Sequence, residues 1–299
     1  IDEVRLFRAG YTVSAVYQSS APTTGGAFGS AVVELPDLDG DGVGDLAVGH
    51  PGYSSARGRV EILSGATGSQ LHAFAHGSPG DRRGSTLALV DDLDGDGVPE
   101  LLAGAPFADG GGTDAGTVFV YSLGSFSQLH FVQGKPGDRM GTALALGPDL
   151  TGDGRGELVV ALPGHDGPSL ADVGRVSFLD STGFGTVLVA DGQQAGEELG
   201  ASLDLFGDFD GDGVDDLIVG SVEHDLIPFL DDDVGCVRVV STGTGMELLL
   251  IPGDFSASGF GGTVAGLGDV DGDGVPDLAA GAPGAGFADG TVKVLSGAT

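Results

Sequence analysis

The chain has a single cysteine, no tryptophan and only 12 lysines and arginines among 299 residues. One cysteine excludes an intrachain disulfide, so any cross-links that hold the fold must be ionic. Cys236 sits in the run Cys236-Val237-Arg238-Val239 and reads as a small core residue rather than a nucleophile. The 12 basic residues face 44 acidic ones, a formal charge of −32, which makes nucleic acid and anionic membrane surfaces poor partners. No apolar run approaches the roughly eighteen residues of a membrane span, so direct membrane insertion is not expected. Catalytic signatures are missing too. No HExxH, nucleophile elbow or phosphate-binding loop occurs, and His50, His72, His76, His130, His165 and His224 stand at no metal-ligand spacing. The chain is therefore expected not to be an enzyme; the remaining catalytic reading is a hydrolase with two carboxylates hidden among the many acids. There is no signal peptide, and the first residue is Ile1 rather than Met, which suggests a processed or excised segment.

What the chain has in abundance is glycine, 58 residues, and aspartate, and the two recur together. Five acidic loops of one form start at Asp37, Asp92, Asp149, Asp208 and Asp269, at spacings of 55, 57, 59 and 61 residues. A fixed period of that size is the signature of a repeat architecture. In the first loop, residues 37–45, Asp37, Asp39 and Asp41 can turn three carboxylates to one point, with the carbonyl of Val43 and the side chain of Asp45 closing the shell. The corresponding sets are Asp92, Asp94, Asp96, Val98 and Glu100 in residues 92–100, and Asp149, Thr151, Asp153, Arg155 and Glu157 in 149–157. Asp208, Asp210, Asp212, Val214 and Asp216 follow in 208–216, and Asp269, Asp271, Asp273, Val275 and Asp277 in 269–277. Oxygen donors alone, with no His or Cys, select a hard cation and argue against zinc, copper or iron. Magnesium suits the loops less well than calcium because it retains several waters. About five Ca²⁺ are expected, one per loop, and these would bring the formal charge from −32 to about −22. Thr151 removes one carboxylate from the third loop, which predicts the weakest site.

The loops are not EF-hands. An EF-hand needs a bidentate Glu at position twelve and flanking helices, whereas position twelve here is Val48, Ala103, Val160, Val219 or Ala280, inside short apolar runs such as Leu217-Ile218-Val219. Runs of that length beside Gly and Pro read as buried strands. Each loop is expected to join two strands. A Gly lies eight residues before each loop (Gly29, Gly84, Gly141, Gly200, Gly261) and opens a first strand. A second strand ends in Gly49-His50-Pro51 or its counterparts, a third opens at Gly58, Gly116, Gly174, Gly235 or Gly290, and a fourth follows a Ser/Thr-Gly turn, as in Gln70–Phe74. Four antiparallel strands per repeat make one propeller blade, so the fold class is all-β, a β-propeller.

With Phe28-Gly29, Phe260-Gly261, Gly104-Ala105-Pro106 and Gly281-Ala282-Pro283 in these positions, the chain resembles the FG-GAP repeats of integrin alpha-subunit β-propellers over nearly its whole length. The resemblance implies radial blades with calcium in the hairpin between first and second strands, on the face opposite the one that meets partners. The third and fourth repeats depart from it, with Ala161-Leu162-Pro163 and Gly220-Ser221-Val222. The whole of 1–299 reads as one domain of five repeats, and a segment of a larger propeller is the alternative. Within residues 1–18, Val4–Phe7 matches a third strand and Tyr11–Tyr17 a fourth. The simplest closure pairs that fourth strand with the last blade and leaves residues 1–8 as a spare strand, available for self-association by strand addition.

Rigid scaffolds carry their function on loops. The connections from second to third strands vary most, and Tyr53, Arg57, Phe107, His165, His224 and Phe229 are the candidate partner-binding residues on that face. The expected role is a calcium-stabilised extracellular module for protein interaction, adhesion or surface assembly, because weak calcium loops fill only where calcium is near millimolar. A calcium-dependent lectin that binds glycans is the second reading; the absence of Trp and the 6% aromatic content weigh against it.

Overall fold

The computed structural model describes residues 3–8, 12–19, 25–75, 77–225, 233–254, 258–284 and 290–297. The chain forms two compact units, residues 1–141 and 142–299. Both are built from antiparallel sheets in which sequence neighbours are spatial neighbours, the blade pattern of a β-propeller.

The first unit holds a two-stranded sheet of β1 (Glu3–Arg8) and β2 (Thr12–Gln18). Its first blade is β3 (Val32–Leu35), β4 (Asp45–Gly49), β5 (Val60–Leu63) and β6 (Gln70–Phe74). Its second is β7 (Thr86–Val90), β8 (Glu100–Ala105), β9 (Thr117–Ser122) and β10 (Ser127–Gln133). The second unit contains β11 (Leu144–Leu146), β12 (Leu158–Leu162), β13 (Arg175–Leu179) and β14 (Thr186–Asp191). Next come β15 (Ser202–Gly207), β16 (Asp216–Ser221), β17 (Cys236–Val240) and β18 (Glu247–Pro252). A three-stranded sheet of β19 (Thr263–Gly268), β20 (Asp277–Ala282) and β21 (Thr291–Leu295) ends the unit.

The short apolar runs after the acidic loops are the second strands, and burial explains their composition. Every residue of β4, β8, β12 and β16 is buried, so these strands are apolar on both faces rather than alternating. The fourth strands are more exposed, β10 nearly throughout. In the first unit Ala47, Ile62 and Phe74 pack on Leu101, Ala103 and Tyr121, and the Phe74 ring stacks 4.0 Å from that of Tyr121. In the second unit Val176, Phe178 and Leu199 pack with Leu217 and Val219, while Val237, Val239 and Phe260 pack with Leu278 and Ala280.

In four repeats the residue ahead of the blade-opening Gly bridges the preceding sheet. Gly58 bridges Arg83, Gly116 bridges Met140, Gly174 bridges Leu199 and Gly235 bridges Phe260, all in parallel sense. Phe28, Arg83, Met140, Leu199 and Phe260 are all buried. The position is chosen for burial, not for aromaticity. Arg83 satisfies it by laying its guanidinium 3.7 Å from the centre of the Phe119 ring and donating to the Tyr121 hydroxyl at 2.8 Å.

Residues 3–8 are paired as one strand of a hairpin. β1 pairs along its length with β2, because a third and a fourth strand adjacent in sequence close on each other as a hairpin. Tyr17 on β2 packs with Phe28, Leu46, Val48 and Leu63 and donates its hydroxyl to the Gly65 carbonyl at 2.6 Å. It stands on the first blade as Phe74 stands on the second.

In the first two repeats, glycine at the end of the second strand allows the backbone at the next blade-opening glycine to come close. A Cβ on Gly49 would lie 2.1 Å from the Gly84 carbonyl oxygen, and one on Gly104 would lie 2.2 Å from that of Gly141. Gly49→Ala and Gly104→Ala should each cost about 1–3 kcal/mol through forced backbone displacement. At Gly281 the nearest atom is the Thr263 side-chain oxygen, 3.0 Å away, so Gly281→Ala should be milder. Denaturant midpoints check the ranking, and equal losses at all three positions would refute it.

Candidate metal centres

The five acidic loops fold alike. In each, the first Asp accepts two backbone N–H groups that close the turn. Asp37 takes those of Gly40 and Gly42 at 2.7 Å each, and Asp149 those of Gly152 and Gly154 at 2.6 and 2.8 Å. Asp92, Asp208 and Asp269 repeat the arrangement. These donors, led by Gly42 and Gly154, hold the Asp37 and Asp149 carboxyls below the usual range. Gly42 has φ +88, a left-handed conformation that glycine adopts without penalty. The fifth-position Asp accepts the N–H of the seventh residue in every loop: Asp41 from Val43, Asp96 from Val98, Asp153 from Arg155, Asp212 from Val214 and Asp273 from Val275.

The ninth-position carboxylate opens the second strand and is buried in all five repeats: Asp45, Glu100, Glu157, Asp216 and Asp277. It accepts the N–H of the second loop residue, Leu38, Leu93, Leu150, Phe209 or Val270. In three blades it also reaches the turn between third and fourth strands, where Gly65 and Gly297 donate to Asp45 and Asp277 at 3.0 Å and Thr242 donates to Asp216. A serine in that turn approaches the fifth-position Asp: Ser64 toward Asp41 at 3.4 Å, Ser296 to Asp273 at 3.1 Å. These serines escaped the sequence reading, although Ser ahead of Gly in the Ser64-Gly65 and Ser296-Gly297 turns was a visible signal.

Four of the loops gather acidic oxygens within 4.8 Å of one another: Asp37, Asp39 and Asp41; Asp92, Asp94, Asp96 and Glu100; Asp208, Asp210 and Asp216; Asp269, Asp271 and Asp273. Asp45, Asp212 and Asp277 stand outside their clusters by this measure, and among the described residues the third loop, with Thr151, brings no three acids together. The second loop shows what the crowding does. The Glu100 carboxyl is pushed up to about 7, first by burial and then by Asp94, Asp92 and Asp96, with the Leu93 N–H opposing. A divalent cation reverses that penalty by supplying positive charge where the carboxylates converge. The donors present, all oxygen and preset by backbone hydrogen bonds, fit a hard cation of calcium's kind.

The candidate partner residues divide. Arg57 is exposed and donates to the Gly77 carbonyl at 2.9 Å, and Tyr53 and Phe107 are half-buried, each beneath a guanidinium, Arg59 and Arg82 respectively. His165 and His224 are buried at 7% and 5% exposure. Phe229 lies outside the described residues. Tyr53 opens a turn whose next three residues, Ser54, Ser55 and Ala56, have φ of 49, 62 and 56, left-handed values that non-glycine residues seldom adopt.

A second grouping, not seen from sequence, lies in the second unit. Glu197, fully buried, receives the Arg238 guanidinium through Nε and Nη2, and Arg238 also pairs with Glu247 through Nη1. Burial alone would raise the Glu197 carboxyl, but a hydrogen bond from His224, the Arg238 charge and the N–H groups of Gln193 and Gln194 outweigh it and hold it below the usual range.

Comparison with known proteins agrees with this geometry. The FG-GAP repeat family model matches residues 83–121, 140–179 and 260–295. Integrin alpha-4 of Xenopus laevis is 31% identical over 230 residues, covering 73% of this chain and 21% of that protein. Phosphatidylinositol-glycan-specific phospholipase D of Rattus norvegicus is 36% identical over 154 residues, covering 44% of this chain and 18% of that protein. The chain thus spans about a fifth of the length of these relatives. A crystal structure of BBS1N in complex with ARL6DN shares the fold with a TM-score of 0.55 at 12% identity, covering all of this chain and 73% of that one.

Proposed function

The chain carries FG-GAP repeats of the kind found in integrin alpha subunits, and on that footing we propose that it is a calcium-stabilised extracellular β-propeller that presents its second-to-third-strand loops to a protein partner in adhesion or surface assembly. The observation that carries this reading is the acidic cluster at the first hairpin of four blades, each tied by hydrogen bonds into the strands behind it. Asp37, Asp39, Asp41 and Asp45, and their counterparts in the other repeats, would hold the ion, and the ion supplies the positive charge that lets a hairpin of like-charged carboxylates stay closed. Its role is structural. The Asp residues fix the turn, the buried ninth-position carboxylate anchors it to the second strand, and the third-to-fourth turn is held in place beside it.

Five calcium ions are expected, with the third the weakest because Thr151 replaces a carboxylate. Titration calorimetry should show Thr151→Asp raising the affinity of one site about tenfold, since ligand charge count tunes such sites. No change in any site would remove the third loop from the set. The partner reading is tested by surface binding to a panel of extracellular matrix proteins and a glycan array, with and without calcium. Calcium-dependent binding of a protein that weakens in Arg57→Ala and Phe107→Ala supports it. Binding to glycans alone would favour a lectin, and binding that ignores calcium and both substitutions would contradict the module as described.

A further inference from the structure

We propose that Glu197, His224 and Cys236 form a site for one thiophilic divalent cation of the zinc class, chemically distinct from the acidic loops. The three come from separate parts of the second unit: Glu197 from the segment between β14 and β15, His224 from the connection after β16, and Cys236 from the start of β17. One ligand atom of each lies within 4.8 Å of the others. All three are buried, at 0%, 5% and 0% exposure. The Cys236 sulfur is 3.9 Å and the His224 Nδ1 3.4 Å from Oε1 of Glu197.

Two further observations point to an occupant. His224 Nδ1 is buried, and its contact with Glu197 Oε1 at 3.4 Å, a member of the same cluster, falls short of strict hydrogen-bond geometry. Ser221, directly across the strand pair from Cys236, keeps a buried hydroxyl without a partner. Buried polar atoms are seldom left in this way. Sulfur, nitrogen and carboxylate oxygen in one cluster suit a borderline-soft ion, where the loops suit a hard one.

A divalent ion that binds the Cys236 thiolate and the neutral His224 imidazole releases their protons to solvent. Arg238, with the N–H groups of Gln193 and Gln194 on Glu197 Oε2 at 2.6 and 3.0 Å, positions the carboxylate without being a ligand.

The test uses cobalt(II) as a probe on the calcium-saturated protein, so that the acidic loops are already filled. One equivalent should give a near-ultraviolet thiolate-to-cobalt band with visible ligand-field bands, and zinc should displace it. The near-ultraviolet band should vanish in Cys236→Ser, binding should weaken at least tenfold in His224→Gln, and both bands should persist in the loop variant Asp39→Asn. A second measurement guards against a variant that fails to fold: zinc should slow alkylation of Cys236 in the unaltered protein at least tenfold. No cobalt band in the unaltered protein, a band that survives Cys236→Ser, or alkylation unaffected by zinc would each overturn the proposal.

Discussion

Chelating calcium with EGTA should lower the thermal unfolding midpoint by on the order of 20 °C. Each loop bound at about a hundred times its dissociation constant contributes roughly 2.7 kcal/mol by linkage. The first unit has two such loops and the second has three, one of them short of a carboxylate. Two filled loops therefore add roughly 5 kcal/mol to a unit, comparable to a large part of a domain's net stability. For units of about 150 residues, each kcal/mol moves the midpoint by about 4 °C. The ion-free loops keep their backbone hydrogen bonds, but they retain carboxylates crowded within 4.8 Å in four of the repeats. Calorimetric scans with excess calcium and with excess EGTA decide the matter, and superimposable scans would show that the ions are not what holds the hairpins.

The largest single-residue loss is expected at the buried pair in the second unit. Glu197→Ala leaves the Arg238 guanidinium, 3% exposed, with only the half-exposed Glu247 as counterion. Removing one member of a buried ion pair costs about 3–5 kcal/mol, most of it the penalty of the stranded charge. Glu247 remains, so the loss should fall near 3 kcal/mol. Arg175 and Asp191 provide the contrast, since their pair is bidentate but open to solvent, with side chains 27% and 34% exposed. Asp191→Ala there should cost about 1 kcal/mol or less. Urea denaturation of both variants compares them directly. If Glu197→Ala came within 0.5 kcal/mol of the parent, the pair would have no structural weight.

The loops and strands could be read from the sequence because their logic is local. Carboxylates at alternate positions with glycine at the sixth, followed by a three-residue apolar run, specify turn and strand within a dozen residues. The β6 boundaries expected at Gln70 and Phe74 are those observed. The first strand, expected to open at Gly29, begins at Val32, because Ser30 turns back to bond the Ala27 carbonyl. The Glu197 grouping could not be read, because Glu197 meets His224, Cys236 and Arg238 from 27, 39 and 41 residues away and no short-range period marks them. Cys236 was legible only as a core residue, which its full burial agrees with. Nor did sequence show that His165 and His224 point inward, since a histidine in a long polar connection has no pattern that tells its face.

The parallel bridges from Gly58 to Arg83 and from Gly174 to Leu199 mean that Arg83 and Leu199, each before a blade-opening glycine, belong physically to the preceding sheet. A blade is therefore not a detachable cassette. Cutting or re-joining the chain between a fourth strand and the next first strand would sever a shared bridge and expose a buried side chain. Cleavage in the second-to-third-strand connections ahead of the bridging glycine would leave the bridges whole, so new termini and grafted peptides belong there.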